Sequence, residues 1–473
     1  MKLPRIAIAA LRGGSGKTVV SIGIIAALTK IGKKIAPYKK GPDYIDAGWL
    51  SLAAGRSCIN LDTFLIPEKQ IIHSFVVHME NSDIAVIEGN RGLYDGIDYK
   101  GSTSTAELAK LIKCPVILCV DCTMATRTIA ALILGCLKFD PDVDIKGVVI
   151  NRVAGLRHET ILRKSIEYHC GVPVMGAIPK LDWQNFPERH MGLVPTHEHE
   201  WALNSVEAAK KVVQESLDLD KLISIADNAS QCLLFESYWH NNKKEKTCNI
   251  NTKQIKIGIF KDSAFQFYYP ENIEAIIKAG ADIVYMSPLM DDTVLPVDAI
   301  YIGGGFPETH AKQLAQNVQF KNKLKNLANQ GLPIYAECGG LIYLGDKLVL
   351  GDNVYPMTGI LPAVFGFFKK PVGHGYTIFS VERENPYFPV GTKVCGHEFH
   401  YSKVLKWKGQ DSNMAFAMEK GKGFINRKDG VCYKNVLGTY SHIHASGTPC
   451  WAKALVDNAI LYNTNFRNKK NKY

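Results

Sequence analysis

The chain has 473 residues, 46% of them hydrophobic and 21% charged, with a formal net charge of +11 at pH 7. That length exceeds what one hydrophobic core serves, so two or three domains are expected, and the composition excludes a disordered chain. No apolar run approaches the roughly 18 residues that cross a bilayer, and the apolar start at Ile6–Leu11 is too short for a secretory core. A cytoplasmic protein with reduced thiols and no membrane partner is expected. The lysines are dispersed except at Phe466–Tyr473. The charge therefore suits a nucleotide or a small polyanionic substrate, and no nucleic-acid partner is expected.

In chain order, Ile6–Ala10 reads as a strand and Thr18–Lys30 as a helix, joined by LRGGSGK. A glycine-rich turn between strand and helix aims backbone amides and the helix N-terminus at phosphate. Gly13, Gly14, Ser15 and Gly16 would form the cradle, Lys17 would meet the β- and γ-phosphates, and the Thr18 hydroxyl would bind Mg²⁺. The strict G-x-x-x-x-G-K-[ST] pattern fails only at its first position, where Leu11 stands. Asp43 and Asp46 follow in GPDYIDAGW; Glu88 ends the strand Ile84–Glu88, and Asp95 lies seven residues on. Carboxylates at the C-terminal edge of parallel strands are placed to hold Mg²⁺, for which Asp46 and Glu88 join Thr18, and to position a second ligand, the part given to Asp43 and Asp95.

Val116–Val120 and Val148–Asn151 are further strands. Cys119 and Cys122 form a CxxC inside an apolar run, with no second pair at zinc spacing, and read as strand residues. Strand and helix in alternation imply a parallel sheet covered on both faces, an α/β class. The polar stretch 238–254 reads as a linker between domains at 1–237 and 255–458, with a basic tail at 459–473. The second domain alternates again: strands Ile255–Phe260, Ile283–Met286 and Ala299–Ile302, and a helix near Glu271–Ala279. It then reaches PIYAECGGLIYL, in which Cys338 stands at a strand-to-helix corner, where a nucleophile is held toward a cleft.

GPDYIDAGW, NLDTFL, IEGNRGLYDG, FYYPEN, YIGGGFPETH, AECGGLIYL and GHEFHYS together resemble the cobyrinic acid a,c-diamide synthase family, ATP- and glutamine-dependent amidotransferases acting on corrinoids. The resemblance runs from about Arg5 to Leu455. It implies a dethiobiotin-synthetase-like P-loop domain followed by a class I glutaminase, with ATP and L-glutamine as co-substrates, Mg²⁺, and a tetrapyrrole polycarboxylate substrate. In such a glutaminase Cys338 attacks the glutamine amide and His442, in GTYSHIHAS, activates the thiol. Gly304 or Gly305, with Gly339, would supply the oxyanion amides. His444 stands where many class I glutaminases carry a glutamate, which leaves the pair with no evident carboxylate to orient it. Asn151 resembles an adenine-contacting asparagine, Arg12 takes the place of the signature lysine of partitioning-type ATPases, and the 187–198 loop resembles a substrate or interdomain contact. A monomer or homodimer is expected. Two alternatives are the same reaction on nickel sirohydrochlorin or hydrogenobyrinic acid, and a regulatory ATPase of the partitioning type with an inactive glutaminase.

Overall fold

The computed structural model describes residues 2–180, 188–189, 192–193, 201–232, 235 and 255–470. The expected linker at 238–254 lies outside them, and of the 187–198 loop only Glu188–Arg189 and Gly192–Leu193 are described, as a short antiparallel pair. The chain divides into two compact units, Met1–Cys248 and Asn249–Tyr473.

The first unit holds a seven-stranded sheet built from β1 (Arg5–Ala10), β2 (Ile35–Lys40), β3 (Ile59–Leu61), β4 (Ile84–Glu88), β5 (Val116–Asp121), β6 (Ile145–Val153) and β7 (Val174–Pro179). Its order is β3-β2-β4-β1-β5-β6-β7, and every pairing is parallel. β1, β2 and β4 are buried along their whole length. Strands covered on both faces read as continuous apolar runs, which is why IAIAA and IAVIE stand out in the sequence. β2 hides because its run, IAPYKK, ends in two lysines that are nonetheless buried. Strand order reverses at β1, and the crevice outside the carboxyl ends there is where such sheets bind ligands.

The second unit is organised by a ten-stranded mixed sheet. Its spatial order is Ala281–Met286, Ile255–Phe260, Ala299–Ile302, Ile334–Glu337, Val436–Thr439, Lys428–Tyr433, Met414–Lys420, Gly373–Val381, Lys393–His400 and His442–Ile443. The first five run parallel and the rest antiparallel. Only Tyr440 and Ser441 separate Thr439, in the fifth strand, from His442, in the tenth. Three residue steps span at most ~11 Å, so the sheet must roll until its last strands return to the end of the Ile334–Glu337 strand. The Cys338 thiol indeed lies 4.0 Å from the Phe399 carbonyl.

One expectation is corrected at the C-terminus. A single helix runs Cys450–Lys470 through the point where a tail was expected. Trp451, Ala452, Leu455, Val456 and Ala459 form one buried stripe at helical spacing, and neither Gly nor Pro follows to end the helix. Among the described residues, no helix is long and apolar enough to cross a membrane.

The helix α1 (Lys17–Lys30) packs on the helix Ala202–Ser216 through Gly23. A Cβ there would lie 2.4 Å from Val213 Cγ2 and 2.6 Å from the Ala209 carbonyl oxygen. Alanine in a helix normally gains up to about 1 kcal/mol over glycine. Here Gly23→Ala is expected to reverse that sign and destabilise the unit by about 1–3 kcal/mol, because backbone must move; thermal and urea melts measure it.

Candidate active site

Two clusters stand at carboxyl ends of parallel strands, one in each unit. In the first, β1 delivers the glycine-rich loop. Gly16 caps α1 with φ +81°, and a Cβ on it would lie 2.4 Å from Asn151 Nδ2, so only glycine serves there. A Cβ on Gly13 or Gly14 would meet nothing within 4 Å, which leaves the rim of the loop open. Asn151 donates from Nδ2 to the Ser15 carbonyl at 2.8 Å and accepts the Arg152 amide at Oδ1, 2.9 Å away. Its side chain braces the loop from behind. Arg12, largely exposed, pairs with Asp121 at 3.1 Å, and Arg152 reaches the same oxygen at 2.7 Å.

Beneath the loop lies a charge network that the sequence reading found only in part. Thr18 Oγ1 donates to Glu88 Oε1 at 2.6 Å. Between Glu88 and Asp46 sits Lys39, overlooked because it ends an otherwise apolar strand; its Nζ is 2.6 Å from Asp46 Oδ2 and 3.2 Å from Glu88 Oε1. Burial works against that ammonium, but Asp46, Glu88 and Asp43 outweigh it and hold it firmly protonated. Burial likewise pulls Asp46 up, yet Lys39 prevails and keeps its carboxyl below the usual range. Glu88, completely buried, is pushed up by burial despite Lys39. Its Oε2 has no hydrogen-bond partner among the described residues. Asp43 caps the helix α2 (Tyr44–Ala54), accepting the Ile45 and Asp46 amides at 2.8 and 3.0 Å. Burial and the Asp46 charge push its carboxyl up to about 6. Asp95, exposed, accepts the Gly92 amide at 2.9 Å, and a Cβ on Gly92 would lie 2.6 Å from the Leu11 carbonyl oxygen, which places Asp95's loop against the phosphate loop. Cys119 and Cys122 are buried, with thiols pushed up to about 12 by burial; Cys119 lies in β5 as expected, whereas Cys122 follows its end, because the strand stops at Asp121.

In the second unit the Ile334–Glu337 strand ends at Cys338, whose φ of +47° and ψ of −100° form a strained corner before the helix Gly339–Leu344. Its amide donates to the Thr439 carbonyl at 2.8 Å. A Cβ on Gly304 would lie 2.5 Å from His442 Cε1 and 3.2 Å from its Nε2, so the imidazole rests on the glycine backbone. A Cβ on Gly339 would lie 3.0 Å from the Gly305 amide nitrogen. Cys338, His442 and the three glycines are therefore gathered at one place. The thiol is pushed up, first by burial and then by the Glu308, Glu337 and Glu398 charges.

The expectation that the histidine has no carboxylate partner is corrected. Glu337, completely buried and adjacent to Cys338, lies with Oε2 at 3.2 Å from His442 Nδ1. It also accepts the Tyr301 hydroxyl at 3.2 Å and the Ile443 amide at 3.3 Å. His444 is engaged elsewhere, with Nε2 3.4 Å from Glu271 and Nδ1 accepting the Ser446 amide. FYYPEN locks this arrangement: Asn272 donates to the Ile443 carbonyl at 3.0 Å and accepts the Ala445 amide at 2.7 Å, on either side of His444. His397 stacks on His442 with ring centres 4.9 Å apart, and burial, with the two neighbouring histidines, holds its pKa far below the ordinary value.

Asp43 and Asp46 form a like-charge pair, so their titrations are linked. Asp46→Asn is expected to bring the Asp43 carboxyl down from about 6 toward an ordinary aspartate, read by carbon-13 carboxyl NMR across pH 3–8. The sign in stability follows: a carboxyl raised on folding favours the native state at low pH and loses that contribution as pH rises through about 6, a loss expected to shrink in Asp46→Asn.

Residues 6–194 match the CobQ/CobB/MinD/ParA nucleotide binding domain, and residues 256–449 match the CobB/CobQ-like glutamine amidotransferase domain. The chain is 41% identical to the cobyrinate a,c-diamide synthase of Magnetococcus marinus, an alignment covering 96% of this chain and 97% of that one. It is 37% identical to the enzyme of that name from Archaeoglobus fulgidus, over 97% and 98% of the two chains. The one from Methanobrevibacter smithii is 40% identical over 94% and 96%. Two α/β units carrying a phosphate loop and a cysteine corner, aligned end to end with these relatives, give the conclusion that the chain belongs to the cobyrinate a,c-diamide synthase family of glutamine-dependent amide ligases.

Proposed function

We propose that the chain converts the a- and c-carboxylates of cobyrinate to amides, using ATP and glutamine, through an acyl phosphate and ammonia released by a Cys338–His442–Glu337 glutaminase. The observation that carries the reading is the buried Glu337–His442 contact at the Cys338 corner. With Nδ1–H donated to Glu337, the imidazole keeps a lone pair on Nε2, the nitrogen lying over Gly304. That lone pair takes the thiol proton as sulfur attacks the glutamine amide carbon, and the imidazolium returns it to the departing nitrogen, so ammonia leaves and a glutamyl thioester remains. Water then releases glutamate and restores the thiol. The amides of Gly305 (or Gly304) and Gly339 would hold the oxyanion. An intact nucleophile, base and orienting carboxylate argue against a regulatory ATPase with a dead glutaminase.

A carboxylate does not react with ammonia in water because its leaving group is poor. ATP makes it an acyl phosphate, ADP departs, and ammonia then displaces phosphate to form the amide. The loop Gly13–Gly16 cradles the phosphates, Lys17 and Lys39 offset charge on the transferred phosphoryl group, and Asp43 and Asp95 face the acceptor. Thr18 Oγ1 and the unpartnered Glu88 Oε2 suit a hard cation, and the two would hold Mg²⁺ with ligands completed by phosphate and water. Asp46 borders that place, with Oδ2 committed to Lys39. Mg²⁺ bound there would supply charge neutralisation at the phosphates. Asn151 acts through the Ser15 carbonyl and fixes the cradle from which the nucleotide is read.

Mass spectrometry of products from cobyrinate, ATP, Mg²⁺ and glutamine tests the proposal. Two added amides are expected; Cys338→Ala is expected to form them only when ammonia replaces glutamine. Amidation of nickel sirohydrochlorin or hydrogenobyrinic acid instead would keep the mechanism and change the substrate, and no reaction would end the reading. Glu337→Gln is expected to cut glutamine-dependent turnover roughly 10²–10⁴-fold while sparing the ammonia-dependent rate, measured as initial rates with each nitrogen source.

A further inference from the structure

β2 ends in two lysines whose side chains leave opposite faces of the strand. Lys39 is matched by Asp46 and Glu88. Lys40 is not matched. It is only 4% exposed, and among the described residues no carboxylate lies within ion-pair distance of its ammonium and no hydrogen bond is made to it. Asp62, whose charge acts on it, is not within ion-pair distance and accepts the Phe64 and Leu65 amides at Oδ1, while Lys39 and Arg91 add positive charge. Its stem is buried while Nζ keeps some contact with solvent, so a lysine with no counter-ion among the described residues is open to one from outside the fold.

Arg91 is the second unmatched cation. It follows β4 in a left-handed conformation, φ +50°, is exposed, and has no ion pair or hydrogen bond among the described residues. The loops bearing the two cations touch, since a Cβ on Gly41 would lie 2.9 Å from Asn90 Nδ2. β2 is separated from β1, which carries the phosphate loop, by β4. The pair is therefore displaced from the nucleotide phosphates toward the β3 edge, on the side of Asp43.

We propose that Lys40 and Arg91 form an anchoring site for a non-reacting carboxylate of the polycarboxylate substrate, and so set which carboxylate reaches the phosphoryl group. The inference rests on the amide-ligase reading above and deepens it. A planar guanidinium and a point-charge ammonium can share one carboxylate, the first by paired N–H donors and the second by charge.

The test uses the full chain, with initial rates of amide formation at varied cobyrinate and saturating ATP and glutamine. Lys40→Met and Arg91→Ala are each expected to raise the cobyrinate KM roughly 10-fold or more, with a smaller effect on kcat and less than about a twofold change in the ATP KM. Arg91→Lys is expected to recover most of the loss, and Lys40→Met to melt at a higher temperature than the wild type, which a merely structural lysine would not do. Arg91 is exposed, so its variant keeps the test valid if Lys40→Met fails to fold. Unchanged cobyrinate KM in a wild-type background that does amidate cobyrinate overturns the inference alone, as does an ATP KM that rises in step. A wild-type chain that leaves cobyrinate untouched overturns the function and the inference with it.

Discussion

A carboxylate in the last position of a buried parallel strand cannot be left to itself, and each unit is built around one. Glu88 closes β4 and Glu337 closes the strand before Cys338, and both are completely buried. Stripping such a group of water costs several kcal/mol unless donors replace the lost hydration. For Glu88 the donors are Thr18 and Lys39; for Glu337 they are Tyr301, His442 and the Ile443 amide. In both cases the donors include groups to which the proposed reaction gives a part: Thr18 and Lys39 at Glu88, His442 at Glu337.

The two clusters differ in how they distribute charge. The phosphate end sets Lys39 between Asp46 and Glu88, and the carboxyls are driven apart: Asp46 is lowered by Lys39, while Asp43 and Glu88 are raised by burial. The cysteine end is net acidic, with Glu308, Glu337 and Glu398 around a thiol. Glu398 is kept ionised against burial by His400 and by the Lys422 and Gly423 amides. Burial and this acidic setting keep the thiol protonated, so the proposed reaction needs a base beside it.

Much of this was legible in the sequence. Glycines beside a Lys–Thr pair between strand and helix patterns located the phosphate loop, and a cysteine before two glycines located the corner. Lys39, Lys40 and Glu337 were not legible, because charged residues at the end of an apolar strand look like the start of a loop. Whether they are buried depends on partners far away in the chain: Asp46 and Glu88 for Lys39, Tyr301 and His442 for Glu337. The antiparallel strands between Gly373 and Tyr433 also escaped, since their burial alternates irregularly and a bulge interrupts the pairing of Gly373–Val381 with Met414–Lys420. Asn151 stood out only by its resemblance to an adenine-contacting asparagine; that its side chain turns inward to the loop backbone was not legible.

The raised thiol at Cys338 has a consequence for the idle protein. Peroxide and disulfide exchange consume thiolate, and a buried thiol ringed by carboxylates offers almost none at neutral pH. The remaining described cysteines are free, and burial pushes the Cys114, Cys119 and Cys122 thiols up as well. In the proposed reaction, reactive sulfur would exist only while glutamine and His442 together draw the proton away, so oxidative damage to Cys338 would scale with time spent in turnover rather than with the age of the molecule.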